Sequence, residues 1–297
     1  MKKKGAFRDL LKNTRPIVWV YQVLRLLVVL TMVTQLLHHN YENVYICVLT
    51  LILFLLPSFI ERKLHVELPD PLEIIILLFI FAAEILGEIQ EYYLRIPGWD
   101  TVLHTINGFL FAAIGFSIVN ILNKDKHTSM SLSPFYMAVT AFCFSMTIGI
   151  LWEFFEWSMD TFFGLDMQKD TVLQGFNSVM LDPGGHNIPY HVRQVQDVIL
   201  VYADGTRQAL GLGGYLDIGL QDTMKDLLVN LIGAVVFSFF GYFYVKSSGQ
   251  GKIAKMFIPN VVDVPEGEKS PEKKKRRRKK KTGSSTEAAP ENIQTES

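Results

Sequence analysis

Cysteine is almost missing from this chain. Its 297 residues contain two, Cys47 and Cys143, and both fall inside apolar runs. No CxxC pair and no disulfide framework can be written with them, and a thiolate metal site is excluded. Both read as small core residues. Short motifs that fix a reaction class are missing too: there is no nucleophile elbow, no HExxH and no phosphate loop. Gly211, Gly213, Gly214 and Gly219 do not follow the strand–GxGxxG–helix order of a dinucleotide site. Net charge is zero in sum, with 29 basic and 29 acidic residues. It is not zero locally, because Lys273–Lys281 is an unbroken basic run that leaves the rest of the chain net acidic.

Apolar residues are plentiful. They make up 49% of the chain and gather into runs of about 17–24 residues, the length that crosses a hydrocarbon core of roughly 30 Å. The mean hydropathy of +0.23 is modest only because a polar insertion and a polar tail dilute it. The pattern predicts an all-α polytopic membrane helix bundle of about six spans, over 17–37, 44–60, 72–94, 101–122, 134–157 and 223–245. Arg25 and Glu84 interrupt the first and third spans. The first span is long, contains Arg25 and precedes no small-residue cleavage site, so it reads as a retained helix.

Basic residues set the expected orientation. Lys2, Lys3, Lys4, Arg8, Lys12 and Arg15 precede the first span, Arg62 and Lys63 follow the second, Lys124 and Lys126 the fourth, and Lys246, Lys252 and Lys255 the sixth. The two short opposite loops are poor in them: His38–Asn43 has none and Leu94–Asp100 only Arg95. Both termini are therefore expected in the cytoplasm of a bacterial cell, with the protein in the inner membrane. The expected organisation is a basic N-terminus (1–16), five spans (17–157), a small extracytoplasmic insertion (158–221), a last span (222–246) and a disordered basic tail (247–297). Within the insertion, Val198–Ala203, Asp204-Gly205 and Thr206–Leu210 read as a β-hairpin on a type I′ turn. Expected partners are the lipid bilayer and, at Lys273–Lys281, anionic lipid headgroups; nucleic acid is not expected.

In this topology four helices carry polar stripes at one depth. Glu84, Glu88 and Glu91 end the third span; Asp100, His104 and Gly108 start the fourth; Glu153, Glu156 and Asp160 end the fifth; Asp222, Asp226, Asn230 and Gly233 start the sixth. Offsets of three, four and seven put each set on one helix face. So many carboxylates cannot all stay ionised and unpaired in a low-dielectric site; they share protons or a cation neutralises them. Arg95, Lys225 and Lys169 are too few to do it. The expected metal ligands are His104, Asp100, Glu153, Glu88 and Asp226, and the expected catalytic residues are Glu153, Glu156 and Asp226. One imidazole with several carboxylates suits Mn²⁺, Fe²⁺, Mg²⁺ or Zn²⁺. His186 and His191 of the insertion are further candidate nitrogen ligands. The plain alternative is that Glu91, Asp100, Asp160 and Asp222 are interfacial helix-end residues. Trp99, Trp152 and Trp157 read as belt residues, and Gly108 and Gly233 as points of close helix approach.

Asp100-x-x-x-His104-x-x-x-Gly108, Trp152-Glu153-x-x-Glu156-Trp157 and Asp222-x-x-x-Asp226-x-x-x-Asn230-x-x-Gly233 together resemble the YjdF-like family of bacterial inner-membrane proteins, a group without an established activity. The likeness covers the third to sixth spans, about half the chain. The insertion before Asp222 is longer than in the simplest family members, and the basic tail is an elaboration. Asp226-x-x-x-Asn230-x-x-Gly233 is also similar to the last helix of VanZ-like membrane proteins. The resemblance implies an integral membrane protein with a polar site inside its bundle.

Three functions fit these residues. The first is a metal-dependent hydrolase of lipid-linked or envelope substrates at the outer leaflet. The second is a structural or signalling membrane protein with an outer sensing cap and a partner-binding tail. The third is a cation- or proton-coupled transporter, which needs polar residues continuing inward; there the inner halves of spans four to six are mostly apolar, with Asn120, Ser145 and Thr147 among the few polar residues.

Overall fold

The computed structural model describes residues 15–64, 66–124, 131–251 and 255–261. The basic segment ahead of Arg15, Lys126 and the Lys273–Lys281 run lie outside the described residues.

The chain opens with helix α1 (Pro16–Leu37), started by a proline at its first turn, where no amide partner is lost. Helix α2 (Tyr41–Leu53) begins where the Asn40 side chain accepts the Asn43 N–H at 3.3 Å, and α3 (Leu56–Leu64) continues it. After strand β1 (Val66–Glu67) come α4 (Asp70–Phe81), a π-helical segment (Ala82–Ile89) and the short α5 (Tyr92–Arg95). Three long helices complete the bundle: α6 (Trp99–Lys124), α7 (Pro134–Phe163) and α8 (Leu220–Lys246).

Five helices are long and apolar enough to cross a membrane by length and composition: Pro16–Leu37, Tyr41–Lys63, Trp99–Asn123, Pro134–Phe163 and Leu220–Lys246. The remaining expected span, the third (72–94), is built differently. Its α-helix widens into the π segment at Ala82 and stops where Glu91 takes a left-handed φ of 58°. Gly87 lets the chain fold back there, because a Cβ on it would meet the Tyr93 ring at 2.3 Å. A π turn inside a helix moves side chains off the 3.6-residue face, and this one re-aims Glu84 and Glu88.

The helices form two units. In the first, Val28, Cys47, Leu72, Leu77 and Ile85 pack α1, α2, α4 and the π segment together. In the second, Ala112, Ala113, Phe116, Met137, Ala141, Ala234 and Phe237 join α6, α7 and α8, each of them fully buried. Lipid offers no hydrophobic drive between helices, so close approach of small residues carries the contact. A Cβ on Gly108 would lie 2.0 Å from the Asn230 carbonyl oxygen, and one on Gly233 would lie 2.0 Å from that of Thr105. Ser145 adds an Oγ–H to the Gly108 carbonyl at 2.7 Å. Cys143, in contrast to its expected core place, is exposed on α7, while Cys47 is buried.

Residues 255–261, assigned to the tail on sequence, fold back onto the bundle. Ile258 is buried, strand β8 (Asn260–Val261) pairs antiparallel with β1, and Phe257 packs against both units. Its ring lies edge-on to Phe109 at 4.9 Å and to Phe237 at 6.5 Å. Two such aromatic pairs, at roughly 0.5–1.5 kcal/mol each, make Phe257→Ala cost about 1–3 kcal/mol. Thermal unfolding of the detergent-solubilised protein measures this.

The insertion between α7 and α8 is a β-rich cap. Gly164, with φ 67°, ends α7 in the left-handed conformation that glycine adopts without strain. Strands β2 (Thr171–Leu173) and β7 (Tyr215–Asp217) pair at its base. Two hairpins lie between them: β3 (Phe176–Ser178) with β4 (Tyr190–Val192), and β5 (Ile199–Val201) with β6 (Arg207–Ala209). The second is the predicted hairpin, with a different turn. Only Gly205 has positive φ, at 83°, while Asp204 does not; a type I′ turn needs both. The Gly205 N–H bonds the Tyr202 carbonyl and the Tyr202 N–H bonds the Thr206 carbonyl, each at 2.9 Å. That is a three-residue loop with a glycine bulge, and Asp204 instead accepts the Thr206 N–H and hydroxyl at 2.9 and 2.6 Å.

Candidate functional site

The polar stripes of α6, α7 and α8 meet beneath the cap. On α7 the buried positions recur every third or fourth residue, through Ser145, Gly149, Glu153 and Glu156; on α8 they are Asp222, Asp226, Asn230 and Gly233. The same small residues that bring the backbones together therefore bring the acids together one turn further along.

Asp100, His104 and Asp226 each offer one ligand atom, and these three atoms lie within 4.8 Å of one another. His104 stands at the centre: its Nε2 is 3.5 Å from Asp100 Oδ1 and its Nδ1 is 3.8 Å from Glu153 Oε1. Both separations exceed a hydrogen bond. Among the described residues, Asp226 Oδ1 and Glu153 Oε2 are buried without any hydrogen-bond partner, although the residues are only 1% and 4% exposed. The nearest cation is Lys225, half-exposed, with Nζ 4.0 Å from both Asp222 Oδ1 and Asp226 Oδ1. A buried carboxylate oxygen without a hydrogen-bond partner is expensive, and that of Asp226 belongs to a residue of the ligand group, where a cation would satisfy it. A donor set of one imidazole nitrogen and two carboxylates fits a hard or borderline divalent ion.

The other predicted residues are placed as follows. Glu156 accepts the Trp152 indole N–H at 2.9 Å, a bond that spacing of four on a helix allows and that makes Trp152 more than a belt residue. Glu88 lies on the π segment with Glu84, outside the three-residue ligand group. The Tyr93 ring packs against Gly87, between Glu84 and Glu88 in the π segment's sequence. Asp160 does other work: its carboxylate accepts the Met167 and Gln168 N–H groups at 2.6 and 2.8 Å. Asp222 likewise accepts the Lys169 N–H at 2.7 Å. The Gln168 side chain donates to the Thr223 hydroxyl at 2.5 Å, and Asp217 accepts the Gln221 N–H at 2.8 Å. These bonds fasten the base of the cap to the ends of α7 and α8. Glu91 pairs with Arg95 at 2.6 Å on the surface.

The cap histidines lie outside the ligand group. The His191 ring faces Asn177 Oδ1 at 2.7 Å, and His186 belongs to a loop organised by Asp182. That carboxylate accepts three amide N–H groups, from Gly184, His186 and Ile188, at 3.0, 2.7 and 3.3 Å. The bonds from Gly184 and then Ile188 hold the Asp182 carboxyl below its ordinary range. A lowered folded value means that the loop's order is complete above the unfolded carboxyl pKa of about 4 and is lost as pH falls through the lowered value. Hydrogen exchange at Gly184, His186 and Ile188, corrected for intrinsic rates, is expected to lose protection on acidification below about pH 4. In Asp182→Ala the protection should be gone already at neutral pH.

A family model described as "Predicted membrane protein (DUF2238)" matches residues 18–247. An uncharacterized protein of Thermotoga maritima is 24% identical over 128 residues, which make up 42% of this chain and 61% of the relative, so the match spans less than two thirds of that relative's length. No solved structure matches.

Proposed function

The chain belongs to that family of predicted membrane proteins, and from its buried Asp/His group we propose that it is a divalent-cation-binding membrane protein that hydrolyses lipid-linked or envelope substrates. The observation that carries this reading is the pair of orphaned, buried oxygens, Asp226 Oδ1 and Glu153 Oε2, beside the Asp100–His104–Asp226 ligand group. Asp100, His104 and Asp226 would hold the ion, Mn²⁺, Fe²⁺, Mg²⁺ or Zn²⁺. Bound there, it would supply a polarised substrate oxygen and an activated water. Glu153, facing the second nitrogen of His104, would fix the tautomer and orientation of the ring. Glu156, held by Trp152, is the residue proposed to take the proton from water.

The wider setting belongs to the same proposal: a YjdF-like protein of the bacterial inner membrane, both termini cytoplasmic, the cap outside, and Lys273–Lys281 against anionic headgroups at roughly 1 kcal/mol per basic residue. The sensing-cap reading draws support from Asp160 and Asp222, which spend their oxygens on cap backbone. Transport has less support: on the side of Asn230 away from the cap, Ala112, Ala113, Phe116, Met137, Ala141 and Phe237 are fully buried, and the polar residues buried beside them among the described residues, Ser117, Asn120, Ser145 and Ser238, are uncharged.

The test is elemental analysis of the purified protein after reloading with each of the four ions. Near-stoichiometric metal in the parent, missing from a folded His104→Ala, Glu153→Ala double variant, supports the reading. No metal after any reload sinks it.

A further inference from the structure

Beside the polar site runs an apolar groove that its chemistry leaves unused. It has a volume of about 250 Å³ and lies between α4 with the start of the π segment and α6, lined by Leu78, Phe79, Ala82, Val102, Leu103 and Ile106, with Trp99 at its end. On α6 the lining residues Trp99, Val102, Leu103 and Ile106 follow offsets of three, four and seven, so they form one helix face. Asp100 and His104 leave the same turns about 100° further round. The groove and the ligand group are thus neighbouring faces of one helix, in register.

Three features select its occupant. Leu78 and Val102, on the rim, are 46% and 53% exposed, so in a bilayer the groove opens to hydrocarbon. Its walls offer water no polar partners apart from one, and an apolar cavity stays dry. That one is the Trp99 indole: its ring packs edge-on against Tyr92 at 5.0 Å, and its Nε1 is buried with no acceptor among the described residues. A buried donor left unbonded is destabilising unless a ligand oxygen takes it. Trp99 immediately precedes Asp100 on α6, so its end of the groove is the one nearest the ligand group, where an amphiphile's head would lie.

We propose that this groove seats the hydrocarbon chain of the substrate, a single-chain amphiphile whose acceptor-bearing head, such as a phosphate, takes the Trp99 N–H and is thereby presented to Asp100, His104 and Asp226. The proposal rests on the reading of the site as acting on lipid-linked substrates. From Trp99 to Ile106 the face runs about 10 Å along the helix, so only the first part of a long chain is held and the rest remains in the bilayer.

The experiment uses the full chain in nanodiscs and two probes: dodecyl phosphate carrying a mid-chain diazirine, and a headless hydrocarbon carrying the same group. The expected result is saturable labelling of residues 75–82 and 99–106 by the phosphate probe. Ala82→Phe should abolish it, and Val102→Trp, which fills the groove from the opposite wall, guards against a folding artefact in the first variant. Trp99→Phe removes only the donor and should weaken the phosphate probe about threefold to tenfold, the worth of one hydrogen bond, while leaving the headless probe unchanged. Labelling that does not saturate and spreads equally to Leu26 and Leu30 of α1 overturns the site, since it then reports ordinary surrounding lipid. Saturable labelling that is equal for both probes overturns the head contact. Labelling is also expected to persist in His104→Ala, so a failed metal analysis with intact labelling rejects the cation and not the groove.

Discussion

An Asp226→Asn variant is expected to hold no more than about a tenth of the divalent cation bound by the parent, the scale at which even an outer partner of a metal site matters. The substitution keeps shape and volume and removes one negative charge from a residue that is 1% exposed. It also exchanges an anionic ligand for a weak amide oxygen. The sign of its effect on stability should depend on the metal. With the ion present, the parent is stabilised by mass action and the variant is not, so the parent melts higher. With the ion chelated, the parent keeps a buried carboxylate whose Oδ1 has no hydrogen-bond partner, with Lys225 4.0 Å away. The variant needs neither an ion nor a shared proton at this position, so it should melt at or above the parent. A purely structural Asp226 predicts loss of stability in both conditions, and that outcome would overturn the metal reading. Glu153→Gln should be milder, retaining metal at roughly 10–100-fold lower affinity, because Glu153 faces His104 at 3.8 Å and stands outside the ligand group. Asp160→Asn and Asp222→Asn should leave metal content alone and loosen the cap, whose backbone they hold.

That separation between ligand acids and cap acids was only half legible from the chain. The one-face stripes on α6, α7 and α8 were visible because polar and small residues recur at helical offsets through apolar runs, and the small ones foretell where backbones touch. The structure brings Asp100, His104 and Asp226 together as those offsets suggest. Asp160 and Asp222 share the same offsets, yet their partners are amides of residues 167–169, and a backbone amide leaves no mark in a sequence. Glu84 and Glu88 fit the periodic pattern as well, but a π turn changes the residues-per-turn count that the pattern assumes. Its only local signal is Gly87 before Tyr93, whose ring fills the space of the missing Cβ. The fold-back of 255–261 was hidden by its flanks, where Gly249, Gly251, Lys252 and Lys255 read as tail. Met256-Phe257-Ile258 is the sole apolar triplet there, and the nearest ring to Phe257, Phe109 of α6, lies more than a hundred residues away in the chain. The five long spans were legible throughout, since length and apolarity alone decide them.

Gly108→Ala tests whether helix approach and ligand assembly are one property. A single methyl at this position would stand 2.0 Å from the Asn230 carbonyl oxygen, 2.8 Å from its carbon and 2.9 Å from its Cα. All three are backbone atoms, so no rotamer can yield and α8 itself must move. Overpacking ordinarily costs about 1–3 kcal/mol, and a clash with rigid backbone belongs at or above the upper end. Gly149→Ala is the control: its methyl would meet the Asn230 side-chain amide at 2.6 Å, which can turn aside from its 3.6 Å contact with Met146 Sδ. Gly233→Ala, 2.0 Å from the Thr105 carbonyl oxygen, should behave like Gly108→Ala. Asp226 lies one turn from Asn230 on α8, and His104 one turn from Gly108 on α6. Pushing α8 away therefore separates the ligands as it loosens the bundle. The two backbone-limited variants should melt well below Gly149→Ala in the same detergent and lose bound cation in the same step. If either keeps full metal content while its melting point falls, the ligand group tolerates a wider α6–α8 spacing, and the coupling between small-residue packing and the site is wrong.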